Sequence, residues 1–198
     1  YAIALPNPIE GEEVNAETWA LGQIRLLAAG ATYRTNIKLG DSFASMDDDK
    51  KYKAIITSPA YLMEKGQRIG DIVGHLYDKL EDGGTLVCIV SAGFLFDQSL
   101  ASKSIRMKLI EDKNLKAIIS LPSNIFTGTG ISQAALVITK GIENEDIILA
   151  DASGFTRFSK SVYRQTTFDW EQFVKDMEDD LVDFGERGEY VVDGDIAT

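Results

Sequence analysis

The residue types best suited to chemistry are Ser58, Pro59 and Tyr61, which follow the apolar run Ala54-Ile55-Ile56 after Thr57. A serine hydroxyl and a proline-aimed backbone carbonyl can accept hydrogen bonds from an exocyclic amine, and a tyrosine ring can stack on a nucleobase. The run before them reads as a buried parallel strand that stops abruptly, because Pro59 has no N–H for a ladder bond. Ligands of open α/β sheets sit at such carboxyl ends. Taken alone, Ser58-Pro59-Ala60-Tyr61 also describes a strand, a proline turn and a core aromatic.

The elements that must position these residues follow from periodicity. Tyr1–Leu5 is strand-like and stops at Pro6. Asn15 is a good helix N-cap, Glu17 suits the first turn, and Ala20, Ile24, Leu27 and Ala28 recur at helical spacing before Gly30 as C-cap. Thr35–Leu39 is a short strand leading into Gly40-Asp41-Ser42. Beyond the central strand, Ile69, Ile72, Val73, Leu76 and Leu80 form an apolar helix face, and Gly83-Gly84 is expected to turn it into a strand over 85–90. Ile105 and Leu109 anchor another helix, followed by strands over 115–121 and 134–139. Alternating strands and helices predict a parallel, doubly wound α/β sheet. The last two strands are separated by a dozen residues with Pro122, Gly128 and Gly130, too little for a crossover helix, so an antiparallel edge strand is expected there.

Composition bounds the function. A chain of 198 residues with 44% hydrophobic and 26% charged residues can bury a full core. No run reaches the roughly 18 apolar residues of a membrane span, and the N-terminus lacks the pattern of a signal peptide, so the cytoplasm is the expected compartment. Cys88, the single cysteine, lies in an apolar run and reads as a buried inert thiol, while His75, the single histidine, has no Cys or second His to share a metal. The net charge of −11 is concentrated: residues 168–195 hold eleven acids against Lys175 and Arg187. The near-neutral remainder can bind DNA only weakly alone, since non-specific affinity comes from phosphate neutralisation by Lys and Arg. In the tail Phe173, Met177 and Leu181 fall at helical spacing, which predicts an amphipathic helix over 168–184.

One long stretch narrows the family. Residues 117–140, with Leu121-Pro122-Ser123-Asn124-Ile125-Phe126 at their centre, strongly resemble the final strand pair of N6-adenine DNA methyltransferases, specifically the methylating (M) subunit of type I restriction-modification systems. Gly11–Thr18, Leu39–Ser42, Asp82–Val90 with Gly93–Phe96, and Ile147–Ser153 fall in that family's order, so the resemblance covers roughly residues 9–155. It implies a Rossmann-like S-adenosylmethionine-dependent methyltransferase fold, mostly parallel with one antiparallel edge strand and incomplete at the N-terminus. Residues 1–155 are then a partial catalytic core and 156–198 an acidic appendage with the amphipathic helix.

The resemblance also implies roles. Glu13, at a strand end, would take the ribose hydroxyls of S-adenosylmethionine, and Asp41 would accept from its adenine amine. Ser58-Pro59-Ala60-Tyr61 stands where the family has Asn-Pro-Pro-Phe or Asn-Pro-Pro-Tyr, so Ser58 and the Pro59 carbonyl would hold the amine of a flipped adenine while Tyr61 stacks on its ring. Serine at the first position is similar to methyltransferases acting on cytosine N4. Alanine at position 60 removes the restriction that a second proline places on the residue before it. The glycine-rich first motif, which brings backbone N–H groups against the cofactor's methionine end, has no counterpart in these residues. The expected function is part of a DNA adenine-N6 methyltransferase subunit, not active as this chain alone, working on DNA through a complex with specificity and restriction subunits. The alternative is a non-catalytic methyltransferase-like module for assembly or DNA docking; a methyltransferase of RNA or of a protein glutamine is a weaker third, against which residues 121–126 argue.

Overall fold

The computed structural model describes residues 9–42, 50–59, 68–126, 130–144, 146–158, 166–169, 171–173 and 175, and divides the chain into two units, residues 1–50 and 51–198. In the first unit, β1 (Ile9–Glu13) and β2 (Thr35–Leu39) pair in parallel, with α1 (Ala16–Ala28) between them in sequence. Asn15 caps α1 as its type predicts: its side chain accepts from the Thr18 N–H at 2.9 Å. Gly30 follows the C-cap Ala29 with φ 65°. On the strand side, Trp19 Nε1 and Gln23 Nε2 both donate to the Ile37 carbonyl, at 2.9 and 3.1 Å. Half-buried Trp19, Gln23 and Leu26 thus form the packed face, and the apolar row expected to pack instead faces outward, with Ile24 62% and Leu27 68% exposed. Periodicity finds an apolar stripe but not what covers it, and here the side-chain N–H donors of Trp19 and Gln23 decide the rotation.

The second unit is built on a five-stranded sheet in the order β3-β4-β6-β5-β7, formed by Tyr52–Thr57, Leu80–Ser91, Gln133–Thr139, Leu115–Leu121 and Ile148–Asp151. One strand, β6, runs against the others, as expected; its place is corrected. It pairs antiparallel with both β4 and β5, and β7 pairs parallel outside β5, so the reversed strand is interior rather than at the edge. A short connection can return a strand beside either neighbour, and the unbroken apolar run Ala134–Ile138 suits a position flanked on both sides. Nor do Gly83 and Gly84 separate a helix from a strand: β4 already begins at Leu80, and the register jumps from Tyr52↔Leu80 to Ala54↔Thr85, so the glycines lie in a bulge.

Helices α2 (Ile69–Asp78) and α3 (Leu100–Glu111) cover one face of this sheet. Their apolar sides meet the inward rows Leu86, Cys88, Val90 of β4 and Leu136, Ile138 of β6, with Val73, Ile105 and Leu109 buried between. Each such Leu or Ile contributes on the order of 1.5–3 kcal/mol. The helices approach closely at Gly70, where a Cβ would lie 2.4 Å from the backbone N of Ser102, so no larger residue fits without parting them. Lys140 Nζ donates to the Tyr77 and Leu80 carbonyls at 3.2 and 3.1 Å and so neutralises the negative end of α2. Cys88 is fully buried, and burial pushes its thiol up to about 12, the inert state its surroundings predict.

Beyond β7, β8 (Thr156–Phe158) and β9 (Thr166–Phe168) pair antiparallel, and residues 171–173 are helical, with Phe173 edge-to-face on Phe155 at 5.2 Å. Phe168 ends β9, so the helix expected over 168–184 is corrected at its start; most of the rest of it, the strand expected over 1–5, and Gly128 lie outside the described residues.

Candidate functional site

Strand β3 lies at the edge of the described five-stranded sheet and buries none of its residues, with Ile56 82% exposed, so the buried central strand expected from its apolar run is corrected; it does end before its proline as the sequence predicts. Thr57 pairs with Cys88 of β4, and the chain leaves the sheet through Ser58, exposed, and Pro59, half-buried. Ala60 and Tyr61 lie outside the described residues. A serine hydroxyl and a proline carbonyl therefore stand at the carboxyl end of parallel strands, where helix-facing sheets bind ligands. The same end of the sheet carries the loop after β5, in which Pro122 is fully buried, Asn124 is exposed with φ 60°, and Phe126 is half-buried. Sequence reading assigned Phe126 no role of its own; its signal is an aromatic in a loop that follows a strand end.

The two carboxylates assigned to a nucleoside belong to the first unit, and the strand pairing brings them together. Glu13 ends β1 opposite Leu39 of β2, the Gly40 N–H donates to the Glu13 carbonyl at 3.1 Å, and Asp41 follows immediately, exposed. The Glu13 side chain is half-buried and fixed by accepting from the Asn15 N–H at 2.7 Å through Oε1. Two acceptor groups at neighbouring parallel strand ends suit hydroxyl and amine donors. A cavity of about 440 Å³ on the α1 side of the same pair of strands is lined by Glu13, Trp19, Leu26 and Ile37. Among the described residues no three His, Cys, Asp or Glu side chains group as a metal ion would require.

The loop after β4 is a third built feature, and sequence reading gave its polar residues no part. A short 3-10 turn, Ala92–Phe96, is held from below by Arg106 of α3, only 4% exposed, whose Nη1 donates to the Phe94 carbonyl at 2.7 Å and Nη2 to the Asp97 carbonyl at 2.8 Å. The Asp97 carboxylate accepts from the hydroxyls of Ser102 and Ser99, each at 2.6 Å, and from the Ser99 N–H at 3.0 Å. These donors, the Ser102 hydroxyl first, lower its pKa to about 2. The signal was there in Asp97-x-Ser99, a turn acid before a helix N-cap: Ser99 also accepts from the Ser102 N–H.

A family model described as N-6 DNA Methylase matches residues 6–189. The type I restriction enzyme MpnII methylase subunit of Mycoplasma pneumoniae is 24% identical over 186 residues, covering 76% of this chain and 34% of that protein. Among solved structures, the type I restriction-modification system methyltransferase subunit from Streptococcus thermophilus superposes with a TM-score of 0.72 at 21% identity, over 87% of this chain and 42% of that one. The type I restriction enzyme EcoKI M protein does so with a TM-score of 0.63 at 21% identity, over 82% and 38%. The likeness shows the fold, a Rossmann-like α/β methyltransferase fold, and the chain spans about a third to two fifths of the length of these relatives.

Proposed function

This chain belongs to the N-6 DNA methylase family, and from that premise we propose that it is part of a DNA adenine-N6 methyltransferase subunit of a type I restriction-modification system. The observation that carries the proposal is Ser58-Pro59 leaving the carboxyl end of β3 within the span matched by the family model. In this role the Ser58 hydroxyl oxygen and the Pro59 carbonyl accept from the two N–H groups of the adenine amine. That polarises the nitrogen toward attack and holds its lone pair free; Tyr61 stacks on the ring. S-adenosylmethionine, when bound, supplies the electrophilic methyl group. The residues present fit its nucleoside half: Glu13 and Asp41 would accept from the ribose hydroxyls and the adenine amine. They do not include a glycine-rich turn for its methionine half, so transfer by this chain alone is not expected.

The proposed setting is cytoplasmic, with DNA reached through a complex that includes specificity and restriction subunits. A relative bears the name of a type I methylase subunit, and one fold neighbour comes from work on the assembly of a type I system. No helix of the described residues is long and apolar enough to cross a membrane. The appendage proposed from residue 156 onward adds acid, which DNA repels, and so suits a protein partner.

Titration calorimetry with S-adenosylmethionine at millimolar concentration should give weak or no binding to this chain. Supplying the N-terminal portion of a full-length relative in trans, together with Ala60→Pro and Ser58→Asn, should then raise adenine methylation by about tenfold or less, the equivalent of one better hydrogen bond. The second reading, a non-catalytic docking module, is favoured by Ala60 and by the acidic tail. It predicts that neither edit changes methylation, which stays at background.

A further inference from the structure

Phe96 stands at the outer end of the 3-10 turn after β4 and is 74% exposed, although everything beneath it is fixed. Arg106 spans the turn with two donated hydrogen bonds and lies 5.6 Å from the centre of the Phe94 ring, while Ser99 and Ser102 tie down Asp97 on the far side. The Ala92 N–H is held by the Ser132 carbonyl at 2.9 Å. A nine-tenths-buried arginine that serves only backbone carbonyls costs desolvation, and what it secures is the orientation of the segment above it. An aromatic ring presented on such a base loses little entropy when it is covered, which is how a binding hot spot is made.

We propose that Phe96 is a fixed stacking platform for an unpaired nucleobase beside the target base. Three observations point to a base as its occupant. β3 and β4 are hydrogen-bonded neighbours running the same way, so the turn that carries Phe96 rises from the strand end next to Ser58-Pro59. Cations that can meet a phosphate stand nearby beside the Asp97 and Asp71 carboxylates: Arg68 is close enough to stabilise Asp97, and Lys103 lies on the first turns of α3. Leu100, 83% exposed, adds an apolar rim four residues on, and every base offers a face to a ring and an edge to such a rim. Flipping one base leaves its neighbours and its partner without a stacking surface, and a fixed ring replaces part of that loss.

The platform rests on the methylase reading, and the test separates the two. The chain is titrated at low ionic strength with a single-stranded oligodeoxynucleotide carrying 2-aminopurine, whose fluorescence is quenched by stacking. Wild type should bind and quench. Phe96→Ala should bind about tenfold or more weakly and lose the quench, Phe96→Leu should lose it despite keeping apolar area, and Phe96→Trp should restore it. The salt dependence should stay the same in Phe96→Ala and become shallower in Lys103→Ala, because stacking releases no counterions. Equal binding and quench by wild type and Phe96→Ala would overturn the platform and leave the methylase reading standing. Failure of wild type to bind at all would also overturn the platform, and would leave standing the methylase reading, in which DNA is reached through a complex. A change in sedimentation of Phe96→Ala without a change in quench would make the ring a protein contact and also overturn the proposal. Phe96 is exposed, so melting temperatures of its variants should match wild type; Arg106→Lys, which keeps the charge and loses the fork, should weaken the quench in a chain that still folds.

Discussion

Helices α1 and α2 carry apolar residues at the same spacing, yet one buries none of its side chains and the other buries Ile72, Val73 and Tyr77. The difference lies in what each can reach. The described residues of the first unit offer α1 two five-residue strands, too little surface to enclose a core, and hold it by polar bonds from Trp19 and Gln23 to one carbonyl. The second unit offers α2 and α3 a five-stranded sheet whose inward rows are continuous from β4 to β6. Amphipathic periodicity is a capacity for burial, and the area of the facing sheet decides whether it is used.

The sharpest way to break that contrast is to delete volume on each side. Leu136→Ala opens a cavity in a layer where Leu136 is 2% exposed, and should destabilise the second unit by about 2–5 kcal/mol in denaturant unfolding. Leu27→Ala, at a side chain 68% exposed, should cost no more than about 0.5 kcal/mol. Equal losses would mean that α1 is covered in solution and the comparison is wrong.

How much of this was legible in the sequence follows the same division. Strands β3 to β6 could be read because each is a run of apolar residues bounded by Gly, Pro or a charged turn, and the Asn15 cap because an amide at that position has one obvious donor to serve, whereas β8 and β9, Thr-Arg-Phe and Thr-Thr-Phe, carry no such run. The rotation of α1 was not legible, since it depends on which side chains reach the Ile37 carbonyl across the fold. The interior place of β6 was not legible either, because an antiparallel return has the same local sequence on either side of its neighbour. At the site, Ser58-Pro59 was legible as a strand end and Glu13 and Asp41 only through the family resemblance, whereas the Arg106–Asp97 scaffold depends on contacts between a loop and the helix that follows it.

A smaller effect sharpens the contrast through pH. Asp97 has its pKa lowered to about 2 by the Ser102 and Ser99 donors, so its contribution is fully present above the ordinary carboxylate value near 4 and is lost as the pH falls through about 2. Ser102→Ala removes the first of those donors and should cost about 1.5 kcal/mol at neutral pH, with a shallower loss of stability between about pH 4 and pH 2. Acid unfolding of the variant and wild type, followed by Phe- and Trp-independent far-ultraviolet circular dichroism, would measure it. Parallel acid limbs would show that Asp97 is not tied to folding.

The smallest effect tests the first unit by itself. Asn15 supplies the only side-chain cap of α1, accepting from the Thr18 N–H, while its own N–H is taken by Glu13. Asn15→Ala should destabilise the helix by about 1 kcal/mol, and Asn15→Asp should keep it, since a carboxylate caps as well and favours the positive helix end. Because α1 buries no side chain, this loss should appear as roughly fivefold faster amide exchange at Thr18 and Trp19 and not as a lower unfolding midpoint of the five-stranded unit. The same substitution also loosens the turn that fixes the Glu13 carboxylate, the group proposed to hold a ribose. A lowered midpoint would mean that the helix and the large sheet unfold together, and that the exposed row Leu21, Ile24 and Leu27 takes part in holding the fold after all.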